Sequence, residues 1–319
     1  MYNSRILATG SYLPEKILSN KDLEKIVATT DEWITSRSGI KERRIIGENE
    51  TTSTMAYNAA FDAIKSSNVD IGKIDLIIVA TTSPDKLFPS VASIIQQKLG
   101  LNKIPAFDLQ AACTGFIYAL TVADSFIKSN MAKMVLVIGA DTMSRYIDYT
   151  DRNTCVLFGD GAGAVILEAS TDLGIIQNEL HSDGSGEPAL NVPGHVYGGK
   201  IMGSPYMYMD GRAVFKMAVT NLADVATSVL AKSGYNANQI DWLIPHQANI
   251  RIIKATADHL KIPMDKVVTT VEKHGNTSAA SVPLALDYAI KQNLVKRGNL
   301  ILLEGVGAGF TWGASLIKY

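Results

Sequence analysis

Ser67-Asn68-Val69-Asp70-Ile71-Gly72-Lys73-Ile74-Asp75 and Ser233-Gly234-Tyr235-Asn236-Ala237-Asn238-Gln239-Ile240-Asp241 stand at matching places in two halves of one chain, 166 residues apart. Each follows a helical pattern, 53–66 in one half and 213–232 in the other. Each leads into a strand-like run, Leu76–Ala80 and 243–245. At nearly the same offset the apolar run 135–138 has a counterpart in 300–303. Three shared identities (Ser, Ile, Asp) carry little alone, but the recurring order of elements predicts a duplicated α/β unit. A further strand-like run at 164–167, with helical patterns at 91–99, Gly115–Lys128, Ile250–Leu260 and 279–292, continues the alternation expected of a layered α/β fold. Two matching units buried together put a site at their junction. The stretch 170–208, rich in Gly, Pro and Ser, reads as a long excursion between the halves and a wall or lid of that site.

The 319 residues are 47% hydrophobic, enough for one large core or two medium ones. With 19% charged residues and a net charge of -1, the chain lacks the signs of disorder and the basic surplus that a phosphate backbone requires, so no nucleic-acid partner is expected. The start, Met1-Tyr2-Asn3-Ser4-Arg5, has no apolar leader. The longest charge-free run, 109–123, holds Gln, Thr and Gly and is shorter than the roughly 20 apolar residues of a membrane span. It reads as a buried strand end and helix, and no membrane partner is expected. Two cysteines cannot build a disulfide framework and fit a reducing, cytoplasmic location.

Cys113 lies where a strand-like piece gives way to a helix, in Ala106-Phe107-Asp108-Leu109-Gln110-Ala111-Ala112-Cys113-Thr114-Gly115-Phe116. Small neighbours let a ligand approach, and a helix N-terminus favours thiolate, so a lowered thiol pKa is expected. The alternative is a buried structural cysteine, the role assigned to Cys155 within its apolar run. His246 follows a strand in Pro245-His246-Gln247-Ala248-Asn249, and Asn276 opens a helix in His274-Gly275-Asn276-Thr277-Ser278-Ala279-Ala280-Ser281. Separately, a structural histidine and a helix cap are the plain readings. Together with Cys113, all three occupy the strand ends where open α/β sheets place ligands. His246, His259 and His274 are too widely spaced for a compact metal site, and no metal is expected. Phe158-Gly159-Asp160-Gly161-Ala162-Gly163-Ala164 precedes a strand instead of opening a helix, so it reads as a tight glycine turn between strands and not a dinucleotide cradle. Gly305-Val306-Gly307-Ala308-Gly309-Phe310-Thr311-Trp312-Gly313 follows a strand, and its small residues either bring N–H groups near a reacting carbonyl or form a plain hairpin turn.

Taken together, these segments and Asp31-Glu32-Trp33-Ile34 resemble the β-ketoacyl-acyl carrier protein synthase III family, from Gly10-Ser11-Tyr12-Leu13-Pro14 to Phe310-Thr311-Trp312-Gly313. The resemblance implies a duplicated thiolase fold, layered αβαβα, here divided into an N-terminal half at 1–170 and a C-terminal half at 171–319, and usually a homodimer. It implies decarboxylative Claisen condensation of a short acyl-CoA with malonyl-acyl carrier protein, the initiation step of type II fatty acid synthesis, with no cofactor or metal. By resemblance Cys113 is the acylated nucleophile, and His246 and Asn276 hold the malonyl thioester oxygen. The backbone N–H groups of Cys113 and Ala308 hold the oxyanion. Trp33 and Arg152 clamp the adenine of CoA, with further contacts from Thr29, Arg37, Gly211 and Asn249. Phe88 closes the partner subunit's acyl pocket. Lys216, Arg251 and Lys254 form a carrier-protein docking face, although Asp258-His259 stands where the family often carries a Lys pair. Ala308 and Val306 replace a frequent Gly and Phe, and the added methyl is expected to restrict φ at the oxyanion turn. Among rivals, a thiolase proper needs a second cysteine near the C-terminus, and none follows Cys155. A non-catalytic partner subunit typically lacks the nucleophile. The runner-up is another thiolase-fold Cys enzyme acting on CoA esters, such as a ketoacyl synthase of secondary metabolism or an alkylquinolone or hydroxymethylglutaryl-type synthase.

Overall fold

The computed structural model describes residues 2–67 and 69–319, so Asn68 of the first repeat lies outside the described residues. The principal strands are β1 (Asn3–Tyr12), β2 (Leu76–Ala80), β3 (Ala106–Leu109), β4 (Met134–Thr142), β5 (Asp160–Ser170), β6 (Ile175–Ser182), β7 (Trp242–Pro245), β8 (Leu300–Gly307) and β9 (Thr311–Lys318). The principal helices are α1 (Asp31–Ser38), α2 (Thr52–Ser67), α3 (Val91–Lys98), α4 (Gly115–Lys128), α5 (Gly211–Ser233), α6 (Ile250–Leu260) and α7 (Ser281–Lys291). One sheet runs β1-β5-β4-β2-β3 and the other β7-β8-β9-β6. In the first sheet β3, β2 and β4 run parallel and β5 and β1 follow antiparallel; in the second β7 and β8 run parallel and β9 and β6 follow antiparallel.

The repeat seen in the sequence has a local cause. Asp75 accepts backbone N–H groups of Lys133 and Met134 at 2.8 and 3.1 Å, and Asp241 accepts that of Leu300 at 2.7 Å. Each aspartate therefore pins the start of the neighbouring parallel strand, which fixes the register of β2 on β4 and of β7 on β8. The halves differ at one edge. Where the first sheet adds β3, the second has only an isolated parallel bridge from Leu243 to Val267.

Burial makes five layers. α4 and α7 supply Phe116, Leu120, Val282 and Leu286 to a central core that also takes Val137 of β4 and Leu303 of β8. α2 and α3 cover the outer face of the first sheet, and α5 and α6 that of the second. Among the described residues, α5 is the one helix long and apolar enough to cross a membrane. Its buried face, including Ala218, Leu222 and Val229, packs in the outer cores of the second sheet.

Two expectations need correcting. Gly161 and Gly163 are not a turn between strands; they lie inside β5. A Cβ at 163 would stand 2.7 Å from the backbone nitrogen of Leu284, so the glycines are what let α7 lie on the strand. The stretch 170–208 is not wholly an excursion, because it begins with β6, the edge strand of the second sheet. Its remainder, with one short hairpin enclosed by the pairing of Leu190–Asn191 with Tyr208–Met209, does form a wall: Leu190, Asn191, Val192 and Met207 line a cavity at Cys113.

Candidate active site

The duplicated geometry brings two strained turns together between the sheets. Cys113 sits in the 3-10 turn Ala112–Thr114 that precedes α4, and the matching turn Ser278–Ala280 precedes α7. Ala112 and Ser278 both adopt left-handed backbone, at φ 45° and 51°, a conformation that costs a residue with a Cβ free energy and marks an over-determined site. β8 passes close by. A Cβ on Gly307 would lie 2.6 Å from the Cys113 nitrogen, so only glycine brings this strand onto the turn.

Cys113, His246 and Asn276 line one cavity of about 130 Å³, together with Phe158, Phe215, Val306 and Gly307. All three side chains are nearly buried, at 7%, 3% and 6% exposure. His246 Nδ1 is 2.5 Å from the Ser281 hydroxyl, which leaves Nε2 for the cavity. Burial pushes the imidazole down to about 4, so it is neutral near pH 7. Asn276 Oδ1 accepts the Ser278 N–H at 2.9 Å, which leaves its NH₂ as the available donor. The thiol departs from expectation. Burial pushes it up to about 12, a hydrogen bond with Ser278 opposes this, and the Asp141 charge adds to it. Desolvation outweighs the helix N-terminus here, and the resting nucleophile is a thiol.

A second cavity of about 530 Å³ opens on the other side of Cys113, lined by Ala112, Met143, Phe158, Met207, Ser278 and Ala308 among others. Ala308 does not take left-handed backbone; that demand falls on Gly309 at φ 134°. The methyl of Ala308 therefore imposes no φ strain on the turn, contrary to expectation. Val306 is 7% exposed and packs with Ala218, Leu222, Ile252 and Phe310.

The Arg152 guanidinium stacks on the indole of Trp33 of α1. The Arg152 guanidinium carbon is 4.8 Å from the indole centroid, and Arg37 approaches the same ring at 5.0 Å. Trp33, Arg37, Gly211 and Asn249 line a cleft of about 470 Å³, and Gly211 and Asn249 line the Cys113 cavity too, so the two spaces share a wall. Thr29 follows Ala28, whose carbonyl accepts from Arg152, and its own hydroxyl is buried without a partner. Outside the cleft, Arg251 stacks on Phe215 at 5.2 Å, next to Lys216, and Lys254 is exposed on the same helix as Arg251. Phe88 is apart from all of these, 82% exposed on the loop before α3.

The sequence reading missed Asp141 and left Ser281 as part of a helix cap. Asp141 is wholly buried. Its Oδ1 accepts from Thr81, Thr82 and Ser83, and its Oδ2 accepts the Ala279 N–H at 3.1 Å, tying the first half to the turn after Asn276. Ser281 lay in the quoted Asn276 motif; nothing in a linear pattern distinguishes a cap from a histidine partner. No group of three or more His, Cys, Asp or Glu is disposed to hold a metal among the described residues.

Family models for 3-oxoacyl-[acyl-carrier-protein] synthase III match residues 107–184, and for its C-terminal region residues 230–319. A curated relative, the β-ketoacyl-[acyl-carrier-protein] synthase III of Neisseria meningitidis serogroup B, is 58% identical over 100% of both chains. The chain belongs to the β-ketoacyl-[acyl-carrier-protein] synthase III family. The relative of that name from Laribacter hongkongensis is 55% identical over 99% of each chain. The crystal structure of 3-oxoacyl-[acyl-carrier-protein] synthase III from Aquifex aeolicus superposes with a TM-score of 0.95 at 50% identity, covering 99% of this chain and 100% of that one. The fold is thus the thiolase fold of these synthases, and the protein is a condensing acyltransferase of fatty acid synthesis.

Proposed function

We propose that Cys113 takes a short acyl group from acyl-CoA and that the acyl-enzyme condenses with malonyl-acyl carrier protein. The observation that carries this reading is the wall shared by Cys113, the free Nε2 of His246 and the free NH₂ of Asn276. In the first half-reaction the Cys113 sulfur attacks the thioester carbonyl. CoA leaves with the proton, and the N–H groups of Cys113 and Ala308 hold the oxyanion. In the second, His246 and Asn276 donate to the malonyl thioester oxygen as carbon dioxide leaves. The enolate attacks the acyl carbon, and Cys113 sulfur is expelled. A neutral imidazole whose Nδ1 accepts from Ser281 carries its proton on Nε2 and donates a hydrogen bond without transferring that proton.

Trp33 and Arg152 hold the nucleotide of CoA, with Thr29, Arg37, Gly211 and Asn249 along its path. At 4.8 Å the clamp is closed on itself, so an adenine enters as Arg152 swings outward. Lys216, Arg251 and Lys254 receive the acidic carrier protein at the mouth. The protein acts as a cytoplasmic homodimer whose subunits each comprise the halves 1–170 and 171–319. The exposed Leu87 and Phe88 beside the free sheet edge β3 support the dimer, with Phe88 closing the partner subunit's acyl pocket. The test is a panel of acyl-CoA primers with malonyl-acyl carrier protein. Formation of 3-ketoacyl-acyl carrier protein with release of carbon dioxide is expected; acylation without condensation under every primer contradicts the reading.

A further inference from the structure

Arg43 is the largest wholly buried side chain among the described residues, and no carboxylate there pairs with it. Burial pushes its guanidinium down to about 10, still cationic near neutral pH. A buried cation without a counter-ion is costly and persists only where its hydrogen bonds are needed. Those bonds are specific. Nη1 donates to the Leu18 carbonyl at 2.9 Å. Nη2 donates to Asn20 Oδ1 at 2.9 Å and to the Val156 carbonyl at 2.7 Å. Val156 caps the short helical turn Arg152–Cys155 and lines the nucleotide cleft. Asn20, 1% exposed, passes the connection on, because its NH₂ donates to Asp31 Oδ1 at 2.8 Å and to the Ile40 carbonyl at 2.7 Å, at the two ends of α1.

We infer that Arg43 is a positioning residue for nucleotide recognition: its fork, relayed by Asn20, sets the spacing between the Trp33-bearing helix and the Arg152-bearing turn. Leu23, Ile34 and Ile40 also pack with Cys155 and Val156, but among the described residues Arg43 is the side chain that hydrogen-bonds to both Val156 and Asn20. Val156 is followed by Leu157, whose carbonyl accepts the Asn276 N–H at 2.8 Å, so a loosened fork also reaches the reaction centre. That part of the effect falls equally on any thioester, whereas drift of the jaws falls on the nucleotide-bearing substrate alone. The inference rests on the reading that Trp33 and Arg152 grip CoA.

The test compares kcat/KM for acyl-CoA with that for acyl-pantetheine, which carries the same thioester arm without the nucleotide. Arg43→Met keeps the methylene stem, which packs against Gly159 and Gly275, and removes the fork. It is expected to lower the ratio of the two kcat/KM values about tenfold, through KM for acyl-CoA, the size of one well-placed contact. Asn20→Ala removes the relay to α1 and one acceptor of the fork while leaving the Leu18 and Val156 bonds, and is expected to shift the ratio the same way, which covers an Arg43→Met protein that does not fold. Trp33→Ala is the control. If it lowers the ratio while the Arg43 and Asn20 variants leave it unchanged, the positioning role is wrong and the clamp stands. If Trp33→Ala leaves the ratio unchanged as well, the clamp reading fails and takes the inference with it.

Discussion

At the reaction centre His246 and Asn276 each have one polar atom committed to the protein and one left for substrate. His246 spends Nδ1 on Ser281, and Asn276 spends Oδ1 on the Ser278 N–H. What remains on each is suited to donate to one oxygen. His246→Ala or Asn276→Ala should therefore cut malonyl decarboxylation by about 10²–10³ while acylation of Cys113 persists, as removal of one oxyanion donor typically does. Equal loss in both half-reactions would make His246 the base for Cys113 instead. A second buried group has a pH signature. Glu304 of β8 is wholly buried, neither carboxylate oxygen has a partner, and burial pushes it up to about 8. Its folded pKa exceeds the ordinary carboxylate value of roughly 4.3, so the folded state holds a proton that the unfolded state releases. Stability from this group is full below that value and is lost as pH rises through about 8. Glu304→Gln should gain Tm relative to the wild type at pH 8 over pH 5; an equal Tm difference at both pH values would show that Glu304 is ionised in the fold.

Among elements, the strands and helices that carry the site were legible because period and order speak locally. The helix 115–128 and the strand 76–80 came out at their observed bounds, and Asp75 and Asp241 betrayed the duplication because each performs the same strand-pinning task. The glycines of β5 were misread for a physical reason. In sequence, alternating glycines look like a turn; their cause is α7, more than a hundred residues downstream, lying against the strand. Gly163→Ala tests this contact. Its new Cβ meets backbone, which cannot rotate away, so the variant should lose about 1–3 kcal/mol in denaturant unfolding. Unchanged stability would mean that α7 is not seated on β5. The thiol was misjudged for a similar reason: the helix N-terminus is visible in sequence, whereas the desolvation that outweighs it arises from both halves closing together.

At the scale of the whole molecule, the cleft at Trp33 and Arg37, the cavity at Cys113 and the face bearing Arg251 and Lys216 lie in series. Phe215 joins the last two, lining the cavity and carrying the Arg251 guanidinium on its ring. With a net charge of -1 the chain has no general attraction for an acidic partner, so the proposed docking requires a local basic face. Arg251→Glu or Lys216→Glu should raise KM for malonyl-acyl carrier protein, more at low salt than at high, with little change in KM for acyl-CoA. An unchanged carrier-protein KM at low ionic strength would move the docking face elsewhere. All of this serves one bond. Mass spectrometry of the protein after incubation with acetyl-CoA measures it most directly: the account predicts an acetyl adduct on Cys113 that Cys113→Ser abolishes, with Cys155 unmodified, whereas an adduct on Cys155 alone would contradict it.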